Sequence, residues 1–220
     1  MKEQDYINYL FECTINVEVN EGYEFLLQIT EQEGEEYVST SIINAFLFKI
    51  GEKWKTDDDF SIADTYIASK IVKLYLEKVS EKQTMKDENK KAIMGNIKND
   101  FQSTGRKLVI RFLEMDGWNV IDLGNDVDPD EFVKVAKAER VRFIGVSAML
   151  YENAKFITDV VELLDEEYGD SEDKPFLIVG GAIFNVVPGL AEELSVEYTA
   201  TNAYEAKEVF NSLYRRVKNV

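Results

Sequence analysis

The run Val141-Arg-Phe-Ile-Gly-Val146 indicates the fold of the second part of this chain, because it is a short apolar stretch that ends at small and polar residues. Four further apolar runs recur along the chain, at residues 92–94, 119–121, 176–179 and 198–200. Short apolar runs predict strands that are buried on both faces of a sheet. The segments between them have the periodicity of amphipathic helices. Strands that alternate with helices predict an α/β fold, a flavodoxin-like (Rossmann-type) doubly wound parallel sheet of five strands.

The first part of the chain has the apolar periodicity of helices. Its apolar residues fall on two helical stripes: Ile43, Phe46, Ile50 and Trp54 on one, and Ala63, Ile67, Ile71 and Leu74 on the other. Polar breaks at residues 20–22, 32–35 and 56–59 predict about four helices, with Ser61 or Asp59 as the N-cap of the last. We therefore expect a small antiparallel bundle.

A charged segment at residues 80–91 has no apolar period, and it predicts the boundary between two domains. We expect an all-α helical bundle over residues 1–85 and the α/β domain over residues 90–220.

Composition limits the function. The 25 Lys and Arg residues against 42 Asp and Glu residues give a net charge of −17, which repels nucleic acid and anionic lipid, so neither is an expected partner. The first residues lack the pattern of a signal peptide and no apolar run is long enough to span a bilayer, so we expect a cytoplasmic protein. The single cysteine, Cys13, excludes an internal disulfide. The absence of histidine removes the commonest general base and metal ligand, so no catalytic residue and no metal ligand is predicted.

Ligands of open α/β sheets bind beyond the carboxyl ends of the strands. The segments in that position are residues 95–106, 147–149, 180–182 and 201–202. Glycines in two of these segments let the backbone approach a bulky ligand closely. We therefore expect a ligand site at this edge of the sheet.

Four motifs in this region follow one another in a set order. They are Gly95 with Asp100-x-Gln102-x-x-Gly105, then Leu123-Gly124, Ser147-x-Met149 and Val179-Gly180-Gly181. In this order they resemble the cobalamin (vitamin B12) binding domain, whose signature is Asp-x-His-x-x-Gly, Ser-x-Leu and Gly-Gly. The resemblance covers residues 90–220. It implies that Asp100 and residue 102 lie below the corrin ring, and that Ser147 and the glycine pair line a slot for the nucleotide tail.

The helical part resembles the helical cap of corrinoid methyl carriers and cobalamin-sensing regulators, which reads Trp, a short gap, Glu-His and Ala-Ser. The matching segments are Ile50-Gly-Glu-Lys-Trp54 and Phe60 to Ser69. In that family the Trp packs over the upper face of the corrin. Thr65 and Tyr66 stand where the family has Glu and His.

The two resemblances together imply one set of cofactor-binding residues and one cofactor, cobalamin. The set is Trp54, Asp100, Gln102, Thr104, Gly105, Ser147, Met149, Gly180, Gly181, Thr199 and Asn202. The cobalt-ligating His of the family is replaced by Gln102, whose carboxamide lacks the basic nitrogen that suits cobalt. The resemblance therefore implies a base-off cobalamin, or one that keeps its own base, with no histidine ligand from the protein.

The same residues also have interpretations that involve no ligand. Asp100, Ser103 and Thr104 are ordinary N-caps for a following helix. The glycine pair is common in a turn from strand to helix, and Trp54 on an apolar stripe is typical of a helical core. Taken one at a time, each of these residues fits either a cofactor site or an ordinary role in the fold.

Other ligand classes fit the sequence less well. Residues 126–130 have the acidic spacing of a calcium loop without its glycine and final glutamate, so helix capping explains them better. Ser103-Thr-Gly105 is poor in hydroxyls for an FMN phosphate loop, and Ser147 stands where a phospho-receiver needs aspartate.

Three functions remain open at this point. The first is a non-catalytic cobalamin-binding or sensing protein, which the missing His favours. The second is a corrinoid carrier that passes methyl groups between methyltransferases, which the arrangement of a cap and an α/β domain favours. The third is a degenerate domain that only binds proteins. We expect no catalysis by the chain alone, and a methyltransferase or a regulatory protein as its partner.

Overall fold

The computed structural model describes residues 3–57, 60–80 and 87–218. The chain divides into two compact units, one within residues 1–83 and one within residues 84–220. None of the helices in the described ranges combines the length and the apolar character that crossing a membrane requires.

The first unit is helical. Its elements are α1 (Glu3–Ile15), α2 (Val19–Glu33), α3 (Glu35–Tyr37), a π-helical segment (Val38–Ile43), α4 (Asn44–Thr56) and α5 (Ile62–Ser80). Leu10, Leu26, Ile42, Phe46 and Ile71 are fully buried and form part of its core.

Two of the predicted helix boundaries in this unit can be compared directly with the structure. Ser61 precedes α5 and shares reciprocal hydrogen bonds with Asp64, from Ser61 N to Asp64 Oδ2 at 2.7 Å and from Asp64 N to Ser61 Oγ at 3.4 Å, which confirms it as the N-cap. Asp59 lies outside the described residues. The break predicted at residues 20–22 is wrong, because the chain turns at Val17, whose φ is 60°, and Gly22 lies inside α2, where it packs closely against Ile71 of α5.

The second unit is the predicted α/β fold. Its strands are β1 (Lys91–Ile97), β2 (Asn119–Val127), β3 (Phe143–Ser147), β4 (Phe176–Gly180) and β5 (Tyr198–Ala200). Its helices are α6 (Thr104–Met115), α7 (Pro129–Glu139), α8 (Tyr151–Ala154), α9 (Phe156–Tyr168), α10 (Ala182–Val186), α11 (Leu190–Glu193) and α12 (Ala203–Lys218). All strand pairs are parallel, in the order β2-β1-β3-β4-β5, which confirms the doubly wound sheet.

Helices cover both faces of this sheet. On one face, Phe132 of α7 and Ile157 of α9 share a buried core with Ile144 of β3. On the other face, Leu113 of α6 and Phe210 of α12 share a core with residues of β1, β3 and β4. The centre of that second core is Trp118, which is fully buried and makes edge contacts with the rings of Phe143 at 5.1 Å and Phe210 at 5.5 Å.

Two strands run further than their apolar runs predict. Gly95 and Asn96 lie inside β1 and not in the loop after it, because the glycine makes room for the ring of Phe132. β2 continues past Leu123-Gly124 to Val127, with shifts in its pairing to β1 that are typical of a bulged strand.

The order of the strands creates a switch point between β1 and β3. The helix after β1 covers one face and the helix after β3 covers the other, so the carboxyl ends of these two strands diverge and leave a crevice. The loop that contains Asp100 and the loop that contains Met149 form its two sides.

Candidate cofactor-binding site

Asp100 joins the two sides of the crevice. Its side chain is 2% exposed, its Oδ1 accepts a hydrogen bond from Gln102 N at 2.8 Å, and its Oδ2 accepts one from Met149 N at 2.9 Å. The main-chain oxygen of Asp100 also accepts a hydrogen bond from Asp126 N at 3.1 Å. The loops that follow β1 and β3 and the carboxyl end of β2 therefore meet at this one residue.

The environment of Asp100 shifts its acidity. Burial raises the pKa of the Asp100 carboxyl, and this effect exceeds the opposing effect of its hydrogen bonds from the main chain of Gln102 and Met149. The carboxylate is thus more basic than an exposed aspartate.

Gln102 has a fixed main chain and an exposed side chain. Its N–H donates to Asp100 Oδ1, and its carbonyl oxygen accepts a hydrogen bond from Asn96 Nδ2 at 3.0 Å. Residue 102 is therefore held at a defined place at the carboxyl end of β1, whichever side chain it carries.

A buried arginine, which the motifs did not single out, lies behind this loop. Arg106 in α6 is 3% exposed, and its Nη1 donates hydrogen bonds to Asn96 Oδ1, to Gly124 O at 2.6 Å and to Asn125 Oδ1 at 2.7 Å. Its Nε forms an ion pair with Asp122 Oδ1 at 2.9 Å, without the alignment of a hydrogen bond. The helical period could have revealed it, because Arg106 falls on the stripe of α6 that carries Val109, Ile110 and Leu113, and a charge on an apolar stripe indicates a buried, paired group.

The first turn of α6 contains Thr104 and Gly105, and it has no side-chain cap in the described structure. Ser103 precedes the helix but makes no capping hydrogen bond, and the Asp100 carboxylate binds amides of the loops. The interpretation of Asp100, Ser103 and Thr104 as N-caps is therefore wrong. A side chain at Gly105 would meet nothing within 4 Å, so the fold does not require glycine there.

Ser147 and the glycine pair lie at the ends of β3 and β4. Ser147 is half-buried, and its hydroxyl makes no hydrogen bond with another described residue. Gly181 has a φ of 110°, and a Cβ there would overlap the carbonyl oxygen of Ala148. The fold alone therefore requires glycine at residue 181, as the turn interpretation predicts, while its place in a ligand slot stays a prediction.

Thr199 and Asn202 lie further along the sheet edge, at β5. Thr199 is exposed. Asn202 is the N-cap of α12, because its Oδ1 accepts Glu205 N at 2.9 Å while Glu205 Oε2 accepts Thr201 N at 2.8 Å. This N-cap gives the Asn202 side chain a role in the fold, and its contact with a cofactor stays a prediction.

The sequence of the α/β unit matches a known family model. The model of the B12 binding domain matches residues 90–209. The chain belongs to the B12 binding domain family.

Curated proteins with sequences similar to this B12 binding domain are named as corrinoid proteins. A dimethylamine corrinoid protein of Methanosarcina mazei is 32% identical over 114 residues, which are 52% of this chain and 51% of that protein. The dimethylamine corrinoid protein of Methanosarcina barkeri is 32% identical over 52% of each chain. This chain thus spans about half the length of the curated relatives that it matches.

Solved structures match the fold over both units. The monomethylamine corrinoid protein of Methanosarcina barkeri has a TM-score of 0.76 at 23% identity, and the match covers 94% of this chain and 98% of that one. The methanol:cobalamin methyltransferase complex MtaBC of Methanosarcina barkeri has a TM-score of 0.53 at 15% identity, over 98% of this chain and 81% of that one. These matches confirm the predicted architecture of a helical bundle followed by an α/β domain.

The carboxyl edge of the B12 binding domain offers open space and a hydroxyl to a ligand. Gly105 leaves open space at the end of β1, and Ser147 offers a half-buried hydroxyl without a partner in the described structure. The donor set differs from the family signature, because the chain has no histidine. In the part of the chain that the structure describes, no group of three or more metal-ligating Cys, Asp or Glu side chains comes together.

The predicted cap residues of the helical unit lie in α4 and α5. Trp54 lies in α4, but its side chain lies outside the described part of the chain, as do Asp58 and Asp59. Thr65 and Tyr66 lie in α5, with Tyr66 62% exposed. The prediction that Trp54 binds cobalamin stays a prediction.

Proposed function

We propose that this protein binds cobalamin at the carboxyl edge of its sheet and leaves the cobalt without a histidine ligand from the protein. The observation that carries the proposal is the fixed main chain of Gln102, held between Asp100 and Asn96 at the place where the family signature has histidine. Its carboxamide cannot supply the imidazole nitrogen that cobalt prefers.

Each side of the crevice has a task in this proposal. Asp100 holds the loops after β1 and β3 together, Gly105 leaves room for the ring, and Ser147 offers a hydroxyl to the nucleotide tail. When bound, cobalamin supplies a cobalt centre that accepts and gives up an alkyl group. The chain itself contributes binding and positioning.

The visible spectrum of the full chain reconstituted with hydroxocobalamin in the dark tests the proposal. We expect retained colour after gel filtration and a raised midpoint of thermal unfolding, since a ligand at 100 times its Kd stabilises the folded state by about 2.7 kcal/mol. Cobinamide, which lacks the nucleotide tail, is the comparison ligand. Protein that retains no colour and shows no shift in midpoint would contradict the proposal.

A methyl-carrying role is the more specific candidate, with a methyltransferase as partner. It is supported by the names of the relatives, which are corrinoid proteins for methylamines, and by the match of both units to corrinoid proteins. The carrier role requires more than binding: after reduction with titanium(III) citrate the cofactor must stay bound, and addition of methyl iodide must give the spectrum of methylcobalamin. Loss of the cofactor on reduction contradicts the carrier role.

A further inference from the structure

We propose that Arg106 is the positioning residue of the cofactor site: acting through Asn96 and Asn125, it holds the main chain of residues 100–102 where the lower face of the corrin binds. Its effect on the cofactor rests on the proposed function. Its effect on the loop does not, because the loop is formed by the chain alone.

The first step is the contact between the arginine and two amide side chains. The oxygens of Asn96 and Asn125 both accept hydrogen bonds from Arg106 Nη1, the second at 2.7 Å. A guanidinium has only donors. It therefore fixes which way each amide points, with the oxygen towards the arginine and the NH₂ group away from it.

The second step is the contact between those NH₂ groups and the loop. Asn96 Nδ2 donates to Gln102 O at 3.0 Å, and Asn125 Nδ2 donates to Phe101 O at 3.3 Å. The orientation that Arg106 imposes is the one in which both amides can hold a loop carbonyl. A methionine at residue 106 would leave both amides free to turn.

The third step leads from the loop to the opposite side of the crevice. The N–H of Gln102 shares the Asp100 carboxylate with the N–H of Met149. When the carbonyls of residues 101 and 102 are released, the geometry of that carboxylate changes as well. Arg106 thus positions the loops after β1 and β3 without a contact of its own to the cofactor.

Arg111 provides a matched control. It lies in the same helix, is also 3% exposed, and forms an ion pair with Glu114 at 3.8 Å. Arg111 is five positions after Arg106, which places it on a different face of α6. Removing either arginine removes a buried, paired charge from α6. Only Arg106 donates hydrogen bonds to Asn96 and Asn125.

The experiment compares Arg106→Met with Arg111→Met in the full chain. We measure urea unfolding, amide hydrogen exchange at residues 102 and 149 without cofactor, and the affinity for hydroxocobalamin. Both variants should lose stability. Only Arg106→Met should speed exchange at these two amides beyond the global loss of stability and weaken binding by about tenfold, the effect expected from losing one to two hydrogen bonds.

A second variant keeps the proposal testable if Arg106→Met does not fold. Asn125 is exposed, so Asn125→Ala should keep the fold, speed exchange at residue 102, and weaken binding a few-fold. Equal exchange and equal binding in the two arginine variants, or normal exchange in Asn125→Ala, would overturn the proposal. If the wild-type protein binds no cobalamin but Arg106→Met still loosens the loop, the proposed function fails and the role of Arg106 in the loop stands.

Discussion

The N–H of Met149 donates a hydrogen bond to Oδ2 of Asp100 over 2.9 Å, and this bond links the loop after β3 to the loop after β1. The other oxygen of the same carboxylate accepts the N–H of Gln102. One buried aspartate therefore sets the distance between the two sides of the crevice, and a change in its protonation or in its partners affects both.

The first prediction concerns pH and Asp100. Because burial raises the pKa of its carboxyl, the folded state binds this proton more tightly than the unfolded state does. The carboxyl therefore favours folding increasingly as pH falls from neutral towards its ordinary pKa of 3.8, and this contribution is lost as pH rises through the folded pKa. Urea unfolding at several pH values should show that the free energy of unfolding of wild type, relative to that of Asp100→Asn, increases as the pH falls. A relative stability that does not change with pH, or that decreases as the pH falls, would contradict the raised pKa of Asp100.

The second prediction concerns the residue beneath the cobalt. In Gln102→His, the main chain at residue 102 should stay fixed between Asp100 and Asn96, and the imidazole should coordinate cobalt. Electron paramagnetic resonance of the Co(II) form with cobinamide should then show nitrogen superhyperfine splitting that wild type lacks. Thr104→His, two residues away, is the control and should show none. Splitting in wild type would refute the assignment, and splitting in both variants would show that residue 102 has no special place.

The third prediction concerns Gly105. A Cβ there meets no protein atom within 4 Å, so Gly105→Leu should keep or raise the free energy of unfolding, by at most about 1 kcal/mol, because glycine is a poor helix former. The same side chain fills space that the ring needs, so cobalamin affinity should fall at least tenfold. Gly105→Ala gains the helix preference without the bulk and should bind as wild type does. Normal binding by Gly105→Leu places the cofactor elsewhere.

Gly181 serves as the opposite case. Its Cβ would overlap Ala148 and its φ is 110°, so Gly181→Ala should lower the free energy of unfolding by about 1–3 kcal/mol. Loss of the cofactor in Gly181→Ala would therefore not distinguish a ligand slot from a destabilised turn.

The fourth prediction separates capping from cofactor binding at Asn202. Asn202→Ala removes the acceptor for Glu205 N and should cost about 1 kcal/mol of stability, whereas Asn202→Asp keeps the cap and should cost little. Thermal unfolding of the two variants checks this, and equal stability of Asn202→Ala and wild type would contradict the cap. Weakened cobalamin binding by Asn202→Asp, with stability unchanged, is the result expected if Asn202 also contacts the cofactor.

The sequence predicts most of this fold because buried parallel strands need continuous apolar runs, and each of the five runs became a strand. It misplaces the ends of β1 and β2, where Gly95 and Gly124 interrupt the apolar pattern. From the sequence alone, a glycine predicts a loop, because the side chain that packs against it in the fold is not known. Here Gly95 stays in its strand because Phe132, 37 positions later in the sequence, occupies the space that a side chain would need.

The sequence predicts only part of the site, because some of its contacts form only when separate elements pack together. The order of the motifs indicates that Asp100 and Met149 follow strands whose ends meet, and the structure brings them into contact. Asn96 and Arg106 carry no motif of their own, and a strand residue and a helix residue ten positions apart meet only after the strand and helix have packed. That Asp100, Gln102 and their neighbours bind cobalamin stays a prediction.

The strand order also has a consequence for synthesis of the protein. β1 lies between β2 and β3, and both are made after it, so its partner on the β3 side is missing until residue 147 has left the ribosome. Met149 follows Asp100 by 49 positions, which takes about 2 to 10 seconds at the usual rate of elongation. During that interval a central, apolar strand has an open edge of the kind that pairs with other chains. A nascent chain arrested before β3 should therefore need a chaperone to stay in solution, whereas one arrested after β3 should not.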